Sequence, residues 1–107
     1  MAESTEGTTA KVSTSVDETG RPVILIAGEL DLASVDTVRT AIAPILASAP
    51  KAVIFDLQDL SFMDSSGISL LVQVSNEVES VKLINPSPIV RRVLEATGLL
   101  EVFGLAP

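Results

Sequence analysis

Asp64-Ser65-Ser66-Gly67 is the stretch of this 107-residue chain best placed to do chemistry. Ahead of it, Ala52-Val53-Ile54-Phe55-Asp56-Leu57 is a short apolar run bounded by charge, the pattern of a buried strand. Behind it, Ile68, Leu71 or Val72, and Val78 recur at helical spacing, with Ser69, Gln73, Asn76 and Glu77 on the opposite face. The hydroxyls of Ser65 and Ser66 are therefore expected at a helix N-terminus. Free backbone N–H groups and the positive end of the helix dipole favour negative charge there. Two chemistries fit: Asp64 or a serine caps the helix, or a hydroxyl gains and loses a phosphate. Gly67 bears on the choice, because glycine in a helix costs roughly 0.5–1 kcal/mol relative to alanine. Close approach of another molecule to the backbone would account for it.

The residues that are missing narrow the chemistry further. With no His and no Cys, the commonest general base, the commonest transition-metal ligand and thiolate chemistry are all absent. A serine nucleophile would need a lysine or a carboxylate to activate it, and Lys11, Lys51 and Lys82 show no spacing that suggests a catalytic pair. No glycine-rich phosphate loop is present. The expectation is no enzyme, no metal and no cofactor. A net charge of −7 repels a phosphate backbone, and three Phe with no Trp or Tyr offer little to stack on bases, so nucleic acid is excluded as a partner. Apolar runs too short for a bilayer, and no charged-then-apolar leader, point to a soluble cytoplasmic protein without a membrane partner.

These residues must be positioned by a small α/β domain. Residues 1–10 are small and polar and are expected to be a disordered tail, leaving 11–107 as a single domain. Lys11 to Val16 and Pro22 to Ala27 form a hairpin across Asp17-Glu18-Thr19-Gly20, and Gly28-Glu29-Leu30-Asp31 is a polar turn. Ser34 is expected to cap a helix whose Val35, Val38, Ile42, Ile45 and Leu46 share a face, with Pro44 kinking or shortening it. Val81 to Ile84 is a further strand. Ser87 caps a third helix with Pro88 at its first position and Gly98 past its end, where Arg91, Arg92 and Glu95 face water. Leu99 to Phe103 is expected to form a last short strand. The resulting β-β-α-β-α-β-α order forces parallel neighbours, and both the Gly28–Asp31 and Phe62–Ser66 turns follow strands.

Three motifs together resemble the bacterial anti-sigma factor antagonists, which are stand-alone STAS domains. They are Gly-Glu-Leu-Asp at 28–31, Leu-Ser-Phe-Met-Asp-Ser-Ser-Gly at 60–67, and Ser-Pro-Ile-Val-Arg-Arg-Val-Leu at 87–94 followed by Thr-Gly-Leu at 97–99. The resemblance implies a STAS-type α/β fold, a mixed, mostly parallel sheet of four to five strands covered by about three helices. It also implies partner switching in transcription regulation and stress response. The unmodified protein binds an anti-sigma factor that is also a serine kinase, which frees a sigma factor. Phosphorylation of the serine after the Asp ends that binding until a serine phosphatase resets it. Carried onto this chain, Ser65 is the phosphoacceptor, and Asp31, Asp64, Ser66, Gly67 and Ile68 are partner-binding. ATP belongs to the kinase. The alternative is a structural STAS subunit of a transporter or signalling scaffold that is never phosphorylated. The segment between Gly67 and Ser87 is shorter than in well-known members and lacks their Gly-Gly turn.

Overall fold

A computed structural model of the chain describes residues 10–105. The chain opens with an antiparallel hairpin of β1 (Ala10–Val16) and β2 (Pro22–Leu30). Gly20, at φ 86°, closes its turn by donating its N–H to Asp17 O at 3.0 Å. Every other pairing is parallel. β3 (Ala52–Asp56) runs beside the first half of β2, and β5 (Ser80–Ile84) lies beyond β3. β4 (Leu60–Met63) pairs with the second half of β2, so β3 and β4 lie end to end along the edge of β2 that faces away from β1. The sheet thus has five strands, and three helices accompany it: α1 (Val35–Ala47), α2 (Ser65–Glu77) and α3 (Pro88–Ala96).

Burial follows from alternation. In β2, Ile24 and Ile26 are buried, while Val23, Leu25 and Ala27 between them are half-buried. Val53, Phe55 and Leu83 continue the buried layer across β3 and β5, and Val38 and Ile42 of α1 with Leu70, Leu71 and Val74 of α2 join the same core. With so few aromatic residues, the close-packed interior is built from branched aliphatic side chains, and Phe55 and Phe103 are its largest fully buried groups.

Several expectations from the sequence change. Ala10 belongs to β1, so the strand starts inside the segment expected to be tail; residues 1–9 lie outside the described residues. Gly28 to Leu30 is strand rather than turn, because β4, a strand absent from the sequence reading, supplies its pairing partners. Leu99 to Phe103 forms no strand. Glu101–Phe103 is instead a 3-10 turn that drops Phe103 into the core and ends at Gly104 in a left-handed conformation. Pro44, exposed on α1, does not shorten it: the helix continues to Ala47. Neither expected serine cap uses its hydroxyl on its own helix. The Ser34 hydroxyl donates to Glu29 O at 2.7 Å and accepts from Asp31 N, and the Ser87 hydroxyl donates to Leu60 O at 2.5 Å. Both serines tie a helix start to a strand, a longer-range job than capping.

Candidate functional site

The Ser65 turn is built by the ends of β2 and β4. The N–H of Asp64 donates to Leu30 O at 3.2 Å, the last rung between these parallel strands, and α2 begins at the next residue. Asp64 is the helix cap. Its Oδ1 accepts from the N–H groups of Ser66 at 2.8 Å and Gly67 at 3.4 Å, satisfying donors that the first turn would otherwise leave free. Its Oδ2 takes the N–H of Leu32 at 3.4 Å and so links the turn to the loop after β2. That loop is shaped by a second carboxylate: Asp31 Oδ1 accepts from Ala33 N at 3.0 Å and Ser34 N at 3.1 Å. The two loops expected to share one end of the molecule do so, and the two carboxylates hold their form.

With the donors nearest the cap committed to Asp64, Ser65 stands out. It is the first helical residue, it is exposed, and its hydroxyl makes no hydrogen bond with any described residue. Ser66 is half-buried, as are Ile68, Asp31 and Asp64. Ile68 lies against the core. Gly67 corrects the sequence reading: it is buried, and a Cβ there would lie 2.7 Å from Met63 Cγ and 2.9 Å from Leu30 Cγ. A close approach that demands glycine is made by the protein's own core, which accounts for Gly67 without calling on another molecule.

Two exposed apolar side chains beside the turn escaped the sequence reading. Leu32 follows Asp31 and is 77% exposed; Phe62 in β4 is 43% exposed. Strict alternation would place Phe62 on the same face as buried Leu60. The pairing of β4 with β2 slips instead: Gly28, at φ 94°, faces Leu60 while Glu29 faces Phe62, which leaves Ser61 as an extra residue. This bulge turns Phe62 outward, a common use of bulges next to functional sites. The Ser61 hydroxyl closes it by donating to Gly28 O at 3.0 Å.

The surroundings are acidic and uncluttered. Residues 28–34 and 57–67 carry Glu29, Asp31, Asp59 and Asp64 but no Lys or Arg. A cavity of about 440 Å³ lies between α1 and α2, lined by Arg39, Ile42, Leu46, Gln73 and Glu77 among others, and no residue of the Ser65 turn takes part in it. Among the described residues, no three acidic side chains converge to hold a metal ion, and no helix is long and apolar enough to cross a membrane.

A sheet of this kind, parallel and extended by one antiparallel hairpin, is shared with the proteins this chain matches. The family model for the STAS domain matches residues 11–107. The chain belongs to the STAS domain family. It is 42% identical over 82 residues to the anti-sigma F factor antagonist of Lysinibacillus sphaericus, a match covering 72% of this chain and 70% of the relative. Among solved structures, an anti-sigma factor antagonist from Mycobacterium paratuberculosis superposes with a TM-score of 0.81 at 26% identity, over 92% of this chain and 86% of that one. The anti-sigma factor antagonist SpoIIAA in its unphosphorylated form superposes with a TM-score of 0.71 at 34% identity, over 83% and 82% of the two chains. SpoIIAA in its phosphorylated form gives 0.67 at 31% identity, over 91% and 92%.

Proposed function

We propose that this STAS domain protein is an anti-sigma factor antagonist of the cytoplasm, switched by phosphorylation of Ser65. In this reading the unmodified turn binds an anti-sigma factor that is also a serine kinase, and a sigma factor is released. The kinase then passes the γ-phosphoryl group of its ATP to Ser65 Oγ. The hydroxyl proton goes to a base on the kinase, and ADP leaves. The modified protein dissociates until a serine phosphatase hydrolyses the ester. The single observation that carries the reading is the state of Ser65: an exposed hydroxyl without a hydrogen-bond partner among the described residues, on a turn whose neighbouring donors are already capped by Asp64. The relatives' names support the antagonist role, and the phosphorylated form of SpoIIAA supports the modification.

The electrostatics agree with a switch that acts on binding rather than on folding. A phosphate adds about −1.5 to −2 charges. At a helix N-terminus that charge is tolerated, with an effect of about 0.3–1 kcal/mol at an exposed site. Beside Asp64 and the Asp31 loop it makes a concentrated negative patch. Burying that patch against a surface shaped for a neutral hydroxyl requires desolvating a dianion, and each 1.4 kcal/mol of that penalty is about a tenfold loss of affinity. Leu32 and Phe62, exposed on either side of the turn, supply apolar area to such an interface.

The test uses the host's own anti-sigma kinase. Ser65→Ala should bind it and show no gain of about 80 Da in intact mass after incubation with ATP. Ser65→Glu should keep its melting temperature and lose the partner, and Ser66→Ala should still be modified. Full phosphorylation of Ser65→Ala, with Ser66→Ala blocked, would move the site by one residue and defeat the assignment.

A further inference from the structure

β1 is the end strand of the sheet. It pairs with β2 along all seven residues in unbroken register, and among the described residues no strand pairs with its other edge. Folded proteins usually blunt such edges with proline, a bulge, several charges or a covering element. Here there is no proline and no bulge, the one charge is Lys11, and Ser13, Thr14, Ser15 and Val16 are all exposed, Val16 at 67%. An open row of backbone donors and acceptors ending in an exposed valine invites another strand.

The sequence indicates which strand. Val12-Ser13-Thr14-Ser15-Val16 reads the same in both directions about Thr14. When two copies of β1 run antiparallel with Thr14 opposite Thr14, each Val12 meets the other copy's Val16 and each Ser13 meets the other's Ser15. The same register brings Lys11 of each copy opposite Asp17 of the other. Apolar meets apolar, hydroxyl meets hydroxyl and cation meets anion, the pairings that stabilise directly opposed positions across strands. Lys11 has no ion pair among the described residues, and the Asp17 carboxylate, which already holds Arg21 at 2.7 Å, is kept well in its charged form and would be shared between the two cations.

The faces agree as well. Ala10 is buried and Val12 packs on the core while Lys11 and Ser13 are exposed, and Thr14, Ser15 and Val16 border a groove with Ile45 and Ser48 at the end of α1. Even-numbered residues of β1 therefore face the helices, and every pair in this register joins residues of like parity. The two sheets continue into one another with their helices on the same side, related by a two-fold axis through Thr14. Such a contact is isologous and closes at two copies.

We propose that the protein forms a homodimer by pairing its β1 edges in this register. Ala10, at one end of β1, lies opposite Gly28, near the Ser65 turn, whereas Val16 lies at the far end, opposite Pro22. Antiparallel pairing thus sends the two Ser65 turns to opposite ends of the dimer, each open to its own partner. The proposal stands or falls independently of what Ser65 does.

Sedimentation of the intact protein from about 1 to 500 μM, in about 0.15 M salt to screen the net charge, should show the mass rising from 11.2 kDa towards twice that value. Thr14→Lys sets two like charges against each other on the axis. It should raise the dissociation constant at least about tenfold while leaving unchanged the melting temperature measured at the lowest concentration, where both chains are monomers. Thr14→Cys places the chain's sole thiol on the axis and should oxidise to a covalent dimer, whereas Thr40→Cys on exposed α1 should not. A wild-type chain that stays monomeric at the top concentration, or a dimer untouched by Thr14→Lys, would overturn the proposal.

Discussion

Replacing Gly67 by alanine sets two opposing effects against each other, and the structure decides between them. Alanine is the better helix former, so on propensity alone Gly67→Ala inside α2 would stabilise the protein by about 1 kcal/mol. The new Cβ, however, would sit 2.7 Å from Met63 Cγ and 2.9 Å and 3.0 Å from Leu30 Cγ and Cδ2. Leu30 is fully buried and Met63 nearly so, and neither has an open side to move into. Overpacking of this kind costs about 1–3 kcal/mol. The net expectation is a loss of about 1 kcal/mol, a fall of roughly 4–8 °C in melting temperature for a domain of this size. Thermal unfolding followed by circular dichroism measures it directly. Urea unfolding of a double-mutant cycle with Met63→Ala then asks whether Met63 is the cause. With Met63 cut back to Cβ, the penalty of Gly67→Ala should shrink by at least about 0.5 kcal/mol, the coupling expected of side chains in contact. A melting temperature equal to or above wild type, or a cycle that is strictly additive, would refute the steric argument. Unchanged stability with lost partner binding would restore the view that Gly67 is there for another molecule.

Two further substitutions and the partner assay probe the same region and the hairpin. Asp64→Ala strips the acceptor from the Ser66, Gly67 and Leu32 N–H groups and should cost about 0.5–2 kcal/mol in urea unfolding, whereas Asp64→Asn, an equally good cap, should recover most of it. In the hairpin turn, desolvation pushes the Asp17 carboxyl up, but hydrogen bonds from the Arg21 and Thr19 N–H groups, the Thr19 hydroxyl and the Arg21 guanidinium together outweigh it and lower its pKa from 3.8 to about 2. A lowered pKa favours folding above about pH 4, and that contribution is lost as pH falls through about 2. A carboxyl titration by NMR should therefore find the Asp17 midpoint well below an ordinary aspartate, and Arg21→Ala should move it back up. In the kinase assay, Ser65→Glu should abolish binding while shifting stability by no more than about 1 kcal/mol.

What the sequence by itself determined lies in local periodicity and short motifs. The helix start at Ser65 was legible because a helical repeat follows it and Asp-Ser-Ser-Gly needs only its own few residues to form a cap, but the strand that feeds it is β4 and not the apolar run 52–57, which holds β3. The hairpin and the three helices were legible for the same reason. Most of what went unread depends on contacts that a local pattern does not show, several of them with partners distant in sequence. β4 has four residues and no clear alternation, because its bulge against Gly28 breaks the pattern; only pairing with β2, some thirty residues away, makes it a strand and turns Phe62 outward. Ser34 and Ser87 look like caps in any local window, yet their hydroxyls bond Glu29 and Leu60. Gly67 looked like room left for a visitor. Leu30 and Met63 fill that room, and one-dimensional proximity cannot reveal it, since hard-core repulsion acts only between atoms that folding has already brought together.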